Sequence, residues 1–506
     1  MDFAKVLTST AEKFPNKPAL IFKDKPITFA RLKDDSFKLA NSLKKIGVKK
    51  GDRIAIYLPI WPEYVISYMA LFSLGVTVVP LDYMLTMDEL VSCLSHSETK
   101  LLIARSKEGL SFEELKSKVK SLEKIVLCEE KKQGFLNFEE LIDNGEPIDP
   151  GTEIKDDDYA MIMYTSGSTG RPKGVLKSYR NLDAAPMAMK GSVKLTDKDS
   201  TICCLPLSHD GGFVFVQDCV CYGITTVMME RFIPLEFLKN IQKYKLTCFW
   251  LVPPMYYAIL QLKEFDKFDL TSLRWVVVFG APSSPAVLKR FHKVCPNAHF
   301  LNGWGMTETM GPTIVLPLDS DNLASIGKPM PWVAVKIVDE DNNELPVGSV
   351  GELAIKSWIV MLGYYKDPEA TAQVIRNGWL HTGDLARIDE QGFVYIVGRK
   401  KEMIKVGGQL VYSPEVEASI HKHPKIAEIA VIGVADKLRG EVPKAFIVLK
   451  ENETATEEEI RYFAKEHLAH FKIPHYYEFR DSLPKTRTGK IDKEILKNKS
   501  KERVNA

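Results

Sequence analysis

The stretch Tyr164–Val175, YTSGSTGRPKGV, constrains this chain more than any other. An apolar run (Ala160, Met161, Ile162, Met163) precedes it and reads as a buried strand. The three glycines Gly167, Gly170 and Gly174 let the backbone turn tightly and bring its N–H groups up to an anion. Thr165, Ser166, Ser168 and Thr169 add hydroxyl donors, and Lys173 adds positive charge. Together these point to a phosphate group. The pattern is not a Walker loop, which needs four residues between its glycines and then Gly-Lys-Ser/Thr. Here two residues separate Gly167 from Gly170, and Lys173 is followed by Gly174. A polar surface turn accounts for a lone Gly-Ser-Thr-Gly, but not for the whole stretch.

With 506 residues the chain is too long for one core, and roughly three or four structural units are expected. Charge is balanced, 68 Lys+Arg against 66 Asp+Glu, so no global field favours nucleic acid or an anionic membrane. Eight cysteines include Cys203, Cys204, Cys219 and Cys221 close together, without Cys-x-x-Cys spacing. They read as reduced core residues rather than a disulfide framework or a zinc site. The start, MDFAKVLTSTAEKFP, has an early acid and no apolar core, so it is not a signal peptide, and a cytoplasmic location is expected. Tyr64 to Leu81 carries no charged residue, but Gly75 and Pro80 divide it into a buried helix and a β-branched strand rather than a membrane span. Helical and strand patterns alternate up to the glycine-rich loop, as in a layered α/β fold.

Further stretches carry chemistry. Thr201–Pro206 reads as a strand delivering Ser208, His209 and Asp210, followed by Gly211 and Gly212. Phe249–Pro254 and Trp275–Pro282 read as buried strands, the second ending in Phe279-Gly280-Ala281-Pro282. In Asn302-Gly303-Trp304-Gly305-Met306-Thr307-Glu308, the glycines permit close approach to a flat base and Trp304 offers a stacking face. Thr307 supplies a hydroxyl, and Glu308 an oxygen ligand suited to Mg²⁺. It is no dinucleotide fingerprint, because Glu308 stands where the third glycine belongs. Thr382-Gly383-Asp384 reads as a glycine-containing turn whose carboxylate can accept a pair of hydroxyls, after a β-rich segment around Val333–Val338 and Gly351–Ile355. Gly398–Glu402 reads as a charged linker; Gly407-Gly408 and Leu483-Pro484-Lys485-Thr486-Arg487-Thr488-Gly489-Lys490-Ile491 follow. Lys493 to Arg503 reads as a solvated tail.

In these motifs the chain resembles the adenylate-forming superfamily, which includes acyl-CoA synthetases, peptide-synthetase adenylation domains and firefly luciferase. The likeness covers nearly the whole chain. It implies an α/β protein: a large N-terminal adenylate-forming domain of layered α/β subdomains plus a small β-rich subdomain (1–400), and a small mobile α+β C-terminal domain (401–506) with a three-stranded sheet. It implies ATP, Mg²⁺ and coenzyme A, with Lys490, Thr165, Glu308 and His209 catalytic and Glu308 holding Mg²⁺. The nucleotide would meet Thr165, Ser166, Gly167, Ser168, Thr169, Gly170, Lys173, Gly280, Ala281, Pro282, Asn302, Gly303, Trp304, Gly305, Thr307, Asp384, Arg399 and Lys490. The acyl chain would meet His209, Gly211, Phe213, Phe279, Gly280 and Gly305. Coenzyme A would pass Gly407 and Gly408, and Lys401 would be the hinge. The chain departs from the family in Phe279, where many relatives have glycine, in Trp304, where tyrosine is commoner, and in Pro414, one position later than usual.

The expected reaction is ATP-dependent activation of a carboxylic acid, a fatty acid in the first reading, giving acyl-AMP and pyrophosphate and then acyl-CoA and AMP. An acyl-AMP ligase or stand-alone adenylation enzyme loading a carrier protein, an aryl-CoA ligase, a luciferase-like oxygenase and a non-catalytic acyl-AMP binder are the alternatives. No nucleic acid and no transmembrane segment are expected, with at most weak membrane-surface contact, and the chain would be a monomer or homodimer.

Overall fold

The loop after Thr165 closes a hairpin at the parallel-to-antiparallel junction of an eight-stranded sheet. A computed structural model describes the chain except residues 166–172, 280–284, 408, 437, 487–489 and 505–506, and gives backbone alone at 279, 285–289 and 499–504. In that sheet, Gly363–Tyr364, Lys173–Ser178 and Tyr159–Thr165 pair antiparallel. Thr77–Pro80, Arg53–Tyr57, Leu101–Ala104, Lys124–Leu127 and Leu136–Asn137 continue in parallel. The uncharged stretch from Tyr64 is part of the helix Pro62–Ser73, buried at every residue but Glu63, and of the wholly buried strand Thr77–Pro80. Burial on all sides is the reason this stretch reads as continuously apolar. Among the described residues no helix is long and apolar enough to cross a membrane.

Two smaller sheets accompany it. One runs in the order Ser200–Cys203, Thr225–Met228, Pro18–Phe22, Lys25–Thr28. The other runs Cys248–Leu251, Trp275–Phe279, His299–Trp304, Ile314–Val315, Lys328–Pro329. The strand expected over Phe249–Pro254 stops at Leu251, because Pro253 opens the helix Pro253–Leu260 at its first turn, where a missing N–H costs nothing. All eight cysteines are free thiols, and all but Cys221 are fully buried.

Compactness divides the chain into two units, Met1–Ala334 with Lys356–Leu380, and Val335–Ile355 with His381–Ala506. In the second unit, Ala334–Val338, Gly351–Lys356, Trp379–Ile388 and Val394–Arg399 make the β-rich part. The expected division at 400/401 marks a pivot at Lys401 rather than a boundary of compactness. The sheet after Lys401 has five strands rather than three: Gln409–Tyr412, Met403–Val406, Gly440–Leu449, Ile426–Asp436 and Tyr476–Phe479. Its first two form a hairpin with a two-residue turn, Val406 facing Gln409, and Gly407 takes φ +55°, as such a turn demands. The tail expected from Lys493 is instead a helix, Lys493–Val504. Its Leu496 is fully buried against Ala430, Ile432, Phe446 and Leu483, so one apolar residue seats an otherwise charged segment.

Candidate active site

The two arms of the glycine-rich hairpin are in register, Thr165 opposite Lys173 and Tyr164 opposite Gly174. The chain therefore returns from the loop as a strand, not as a helix, which separates it structurally from a Walker loop. Ser166, Gly167, Ser168, Thr169 and Gly170 lie outside the described residues. At the base of the loop, the Lys173 ammonium lies 4.8 Å from the centre of the Tyr364 ring, and the Tyr364 hydroxyl donates to Glu308 Oε1 at 2.8 Å. Burial, reinforced by Glu308, raises the phenol far above its ordinary range, so it stays a donor. Lys173, Tyr364 and Glu308 thus form one connected line. Tyr364 carries no motif signal, and the sequence reading missed it.

Glu308 is nearly buried, in the short 3₁₀ turn Thr307–Thr309 that follows the strand His299–Trp304. The turn is held rigidly. Met306 N–H donates to Thr309 Oγ1 (3.2 Å), Thr313 Oγ1 donates to Thr309 Oγ1 (2.9 Å), and Met361 N–H donates to the Glu308 carbonyl (2.8 Å). A Cβ on Gly305 would come within 2.2 Å of the Gly311 carbonyl oxygen, so only glycine fits beside the turn. Asn302 spends both amide N–H groups on the carbonyls of Leu323 and Ser325 (2.6 and 3.1 Å), a bracing role for the following loop. Trp304 is 9 % exposed, so little of its indole is open and its stacking role stays an expectation of the sequence. Gly303 pairs with Phe279 on one side and Val315 on the other. Gly280, Ala281 and Pro282 lie outside the described residues.

One carboxylate beside bound phosphates is how Mg²⁺ is commonly held. Glu308 fits that part: Oε1 is oriented by Tyr364, and its second oxygen accepts no hydrogen bond among the described residues. No group of three or more His, Cys, Asp or Glu side chains able to hold a metal occurs among those residues, so the phosphates would supply the remaining ligands.

His209 caps the helix Asp210–Tyr222 through its backbone carbonyl, which accepts from Gly212 and Phe213 N–H (3.0 and 2.9 Å). Its ring is left for Asp82, with Nε2 3.3 Å from Oδ2. Gly212 is required by contact rather than for openness, since a Cβ there would lie 2.1 Å from the Pro206 carbonyl oxygen. Gly211 is under no such constraint; its carbonyl accepts from Trp250 Nε1 at 3.0 Å. Phe213, expected at the acyl pocket, has its ring fully buried against Tyr68 and Phe72, with centroids 4.8 and 5.8 Å away.

A buried ion pair joins these pieces. Lys177, on the return arm of the hairpin, is 1 % exposed and lies 2.7 Å from Asp210 Oδ1, with its ammonium 2.8 Å from the Met310 sulfur. Burial pushes Lys177 down and Asp210 up, in each case more strongly than the partner pulls back. Such a pair is a net cost relative to apolar packing, but removing one member is worse. Lys177→Met is therefore expected to destabilise the protein by about 3 kcal/mol, and the double variant Lys177→Met/Asp210→Asn to recover most of it. Because Asp210 binds its proton more tightly when folded than when unfolded, the deficit of Lys177→Met should shrink as pH falls through the raised Asp210 pKa. Urea midpoints of the three proteins at pH 8 and pH 6 check both expectations.

In the second unit, Asp384 and Arg399 face each other across paired strands, Oδ1 to Nε 2.6 Å, with Asp384 buried and Arg399 half exposed. The sequence placed Asp384 in a turn; it lies within the strand Trp379–Ile388, beside Gly383 at φ +71°. Gly383 N–H donates to Glu352 Oε1 (3.0 Å), and Lys400 holds Glu352 Oε2 (3.0 Å). Lys490 is exposed as a residue, yet its ammonium is desolvated by the surrounding chain. That burial and the Arg399 charge lower its pKa, while Asp384 and Glu402 oppose them. Asp384, Arg399 and Lys490 therefore share one electrostatic neighbourhood. Gly407 forms the hairpin turn described above, and Gly408 lies outside the described residues.

The mixed α/β arrangement of sheets is that of an adenylate-forming enzyme. The AMP-binding enzyme family matches residues 7–365, and the AMP-binding enzyme C-terminal domain matches residues 415–490. The chain belongs to the AMP-binding enzyme family, and within it to the acyl-CoA ligases, which act through acyl-AMP. It is 34% identical to the long-chain-fatty-acid–CoA ligase of Bacillus subtilis, over 96% of this chain and 92% of that one. It is 33% identical to the 2-succinylbenzoate–CoA ligase of Bacillus licheniformis, over 97% and 98%. Among solved structures, the anthranilate CoA ligase AuaEII with anthranoyl-AMP superposes with a TM-score of 0.93 at 28% identity, covering 100% of this chain and 98% of that one.

Proposed function

We propose that this ligase acts on fatty acids with ATP, Mg²⁺ and coenzyme A. The carboxylate attacks the ATP α-phosphorus in line, a C–O–P linkage forms and pyrophosphate leaves; coenzyme A thiolate then attacks the acyl carbonyl, giving the thioester and AMP. Negative charge crowds the first step, so preorganised positive groups lower its barrier. Thr165, Lys173 and the loop between them hold the leaving pyrophosphate, and Glu308 would hold Mg²⁺, which when bound would offset phosphate charge. Asp384 takes the ribose hydroxyls, with Arg399 orienting its carboxylate. Lys490 bridges the attacking carboxylate and the α-phosphate. The observation that supports this most is the pairing of Asp384 with Arg399 across adjacent strands, together with the electrostatic influence of both on Lys490. After adenylation, the part of the chain beyond Lys401 turns about that residue, removing Lys490 and bringing the Gly407–Gly408 turn toward coenzyme A.

Fatty acids are favoured by the 34% identity to a long-chain-fatty-acid ligase. An aromatic acid is the second reading, favoured by the likeness to the anthranilate ligase structure. Pyrophosphate release with acetate, octanoate, palmitate, benzoate and 2-aminobenzoate, with and without coenzyme A, decides between them. The fastest turnover is expected with octanoate or palmitate, and only with coenzyme A present; a preference for either aromatic acid would replace the fatty-acid reading. Phe279 ends its strand opposite Gly303, and this reading assigns it to the acyl pocket, where many members of the family carry glycine. Phe279→Gly should raise kcat/KM for palmitate more than for octanoate, since each methylene given room is worth about 0.8 kcal/mol. An unchanged palmitate-to-octanoate ratio in a folded variant would remove Phe279 from the pocket.

A further inference from the structure

Three residues beyond Lys490, a lysine is used in a way the proposed chemistry leaves unexplained. Lys493 opens the C-terminal helix and is largely buried, 15 % exposed, with its ammonium 2.9 Å from Glu402 Oε2 and 2.8 Å from Glu417 Oε1. Glu402 belongs to the 3₁₀ turn Lys400–Glu402, immediately after Lys401, and Glu417 to the helix Ser413–Ile420. The two acids are themselves fixed. Glu417 Oε1 accepts from Val431 N–H (2.6 Å), and the Glu402 carbonyl accepts from Ser413 Oγ (3.0 Å). Burial alone would lower Lys493, but Glu417 and Glu402 more than reverse it and raise it above its ordinary range; the lysine stays charged. Two weaker contacts run alongside: Lys497 Nζ donates to the Lys401 carbonyl (3.2 Å), and Lys401 Nζ lies 3.8 Å from Glu494.

We propose that Lys493 is a positioning residue for Lys490, clasping the turn at Lys401, the helix Ser413–Ile420 and the Lys490 segment into one stiff lever. A lysine that must reach a transition state from a segment moving about a pivot is useful only if the connection to the pivot is rigid. The short run from Lys490 to Lys493 leaves little slack, and the bridge Lys485↔Ile491 closes the other side of that segment. Two carboxylates on separate elements fix one ammonium in direction as well as in distance, which a single surface ion pair does not. The proposal rests on the reading of Lys490 as the adenylation lysine.

The test uses the full chain, the fatty acid of the panel that wild type turns over fastest, and its synthetic acyl adenylate. Lys493→Met is expected to lower kcat for acyl-AMP formation about tenfold or more, the scale of loss when a reacting group is misplaced by a fraction of an ångström to 1 Å. KM for ATP and the thioester rate from acyl-AMP should stay within about threefold of wild type, since neither depends on Lys490. Lys493→Arg should restore most of the adenylation rate. Glu402→Gln, which leaves the Glu417 contact in place, should show the same split in milder form and serves where Lys493→Met does not fold. Adenylation within about twofold of wild type in both Lys493→Met and Glu402→Gln, or equal loss of both half-reactions, would overturn the proposal. Lys490→Ala run in parallel separates the two readings. A Lys490→Ala protein that adenylates normally overturns the lysine assignment and the clasp with it, whereas a dead Lys490→Ala beside an active Lys493→Met overturns the clasp alone.

Discussion

Lys490→Ala is expected to cut acyl-AMP formation by about 10² or more, the loss that follows removal of one preorganised electrostatic contact to a transition state. An ammonium on a long stem can meet a carboxylate and a phosphate at once. The fall should appear in kcat rather than in KM for ATP, because the contact strengthens as charge passes from the carboxylate to the phosphates. The same variant, given synthetic acyl-AMP and coenzyme A, should turn over within about threefold of wild type. Stopped-flow pyrophosphate release and thiol consumption measure the two halves separately. If both halves fall together, Lys490 supports the fold of its segment and not the first step; if neither falls, the neighbourhood of Asp384, Arg399 and Glu402 around it has no catalytic meaning.

Lys401→Pro should do the opposite. Lys401 lies in the single 3₁₀ turn between the strands Val394–Arg399 and Met403–Val406, where φ near −60° is compatible with proline. The turn's own bond, Met403 N–H to the Lys400 carbonyl, does not use the Lys401 N–H. The conformation described here is therefore tolerated by the substitution, while a change of φ at that residue is blocked. Acyl-AMP formation is expected to stay within about threefold of wild type and thioester formation to fall by about 10², as when a required conformational step is gated. Moving about Lys401 means giving up contacts such as that of Gly398 with Pro414, whose Cδ would lie 3.5 Å from a Cβ at 398. Equal loss in both half-reactions would place the pivot elsewhere.

The parts of the site legible in the chain order were those whose chemistry is local. Thr165 to Lys173 announces phosphate through glycine, hydroxyl and charge within nine positions, and the hairpin it closes follows from the apolar runs on either side. Glu308 stands out because glycines precede it, and Gly305 proves to be required by a backbone contact. Tyr364, Asp82, Lys177 and Lys493 were not legible. Each is an ordinary surface type in the sequence, and each gains its role from a partner more than 30 positions away, from 33 for Lys177 and Asp210 to 127 for Asp82 and His209. The helix Lys493–Val504 was misread for the same reason: its charges look solvated until Leu496 finds the face of the sheet and Lys493 finds two buried acids.

The sequence by itself determined the class of chemistry, because phosphate loops, glycine-flanked acids and a terminal Gly-Lys pair are short-range patterns whose function depends on the residues within them. It determined the layered α/β architecture through the same kind of signal, the period of apolar residues along single strands and helices. Only the tertiary structure decided which charges are structural and which are available for catalysis. That distinction depends on desolvation and on partners brought together by the fold: Lys177 and Lys493 are spent inside ion pairs, whereas Lys490 keeps an exposed residue surface.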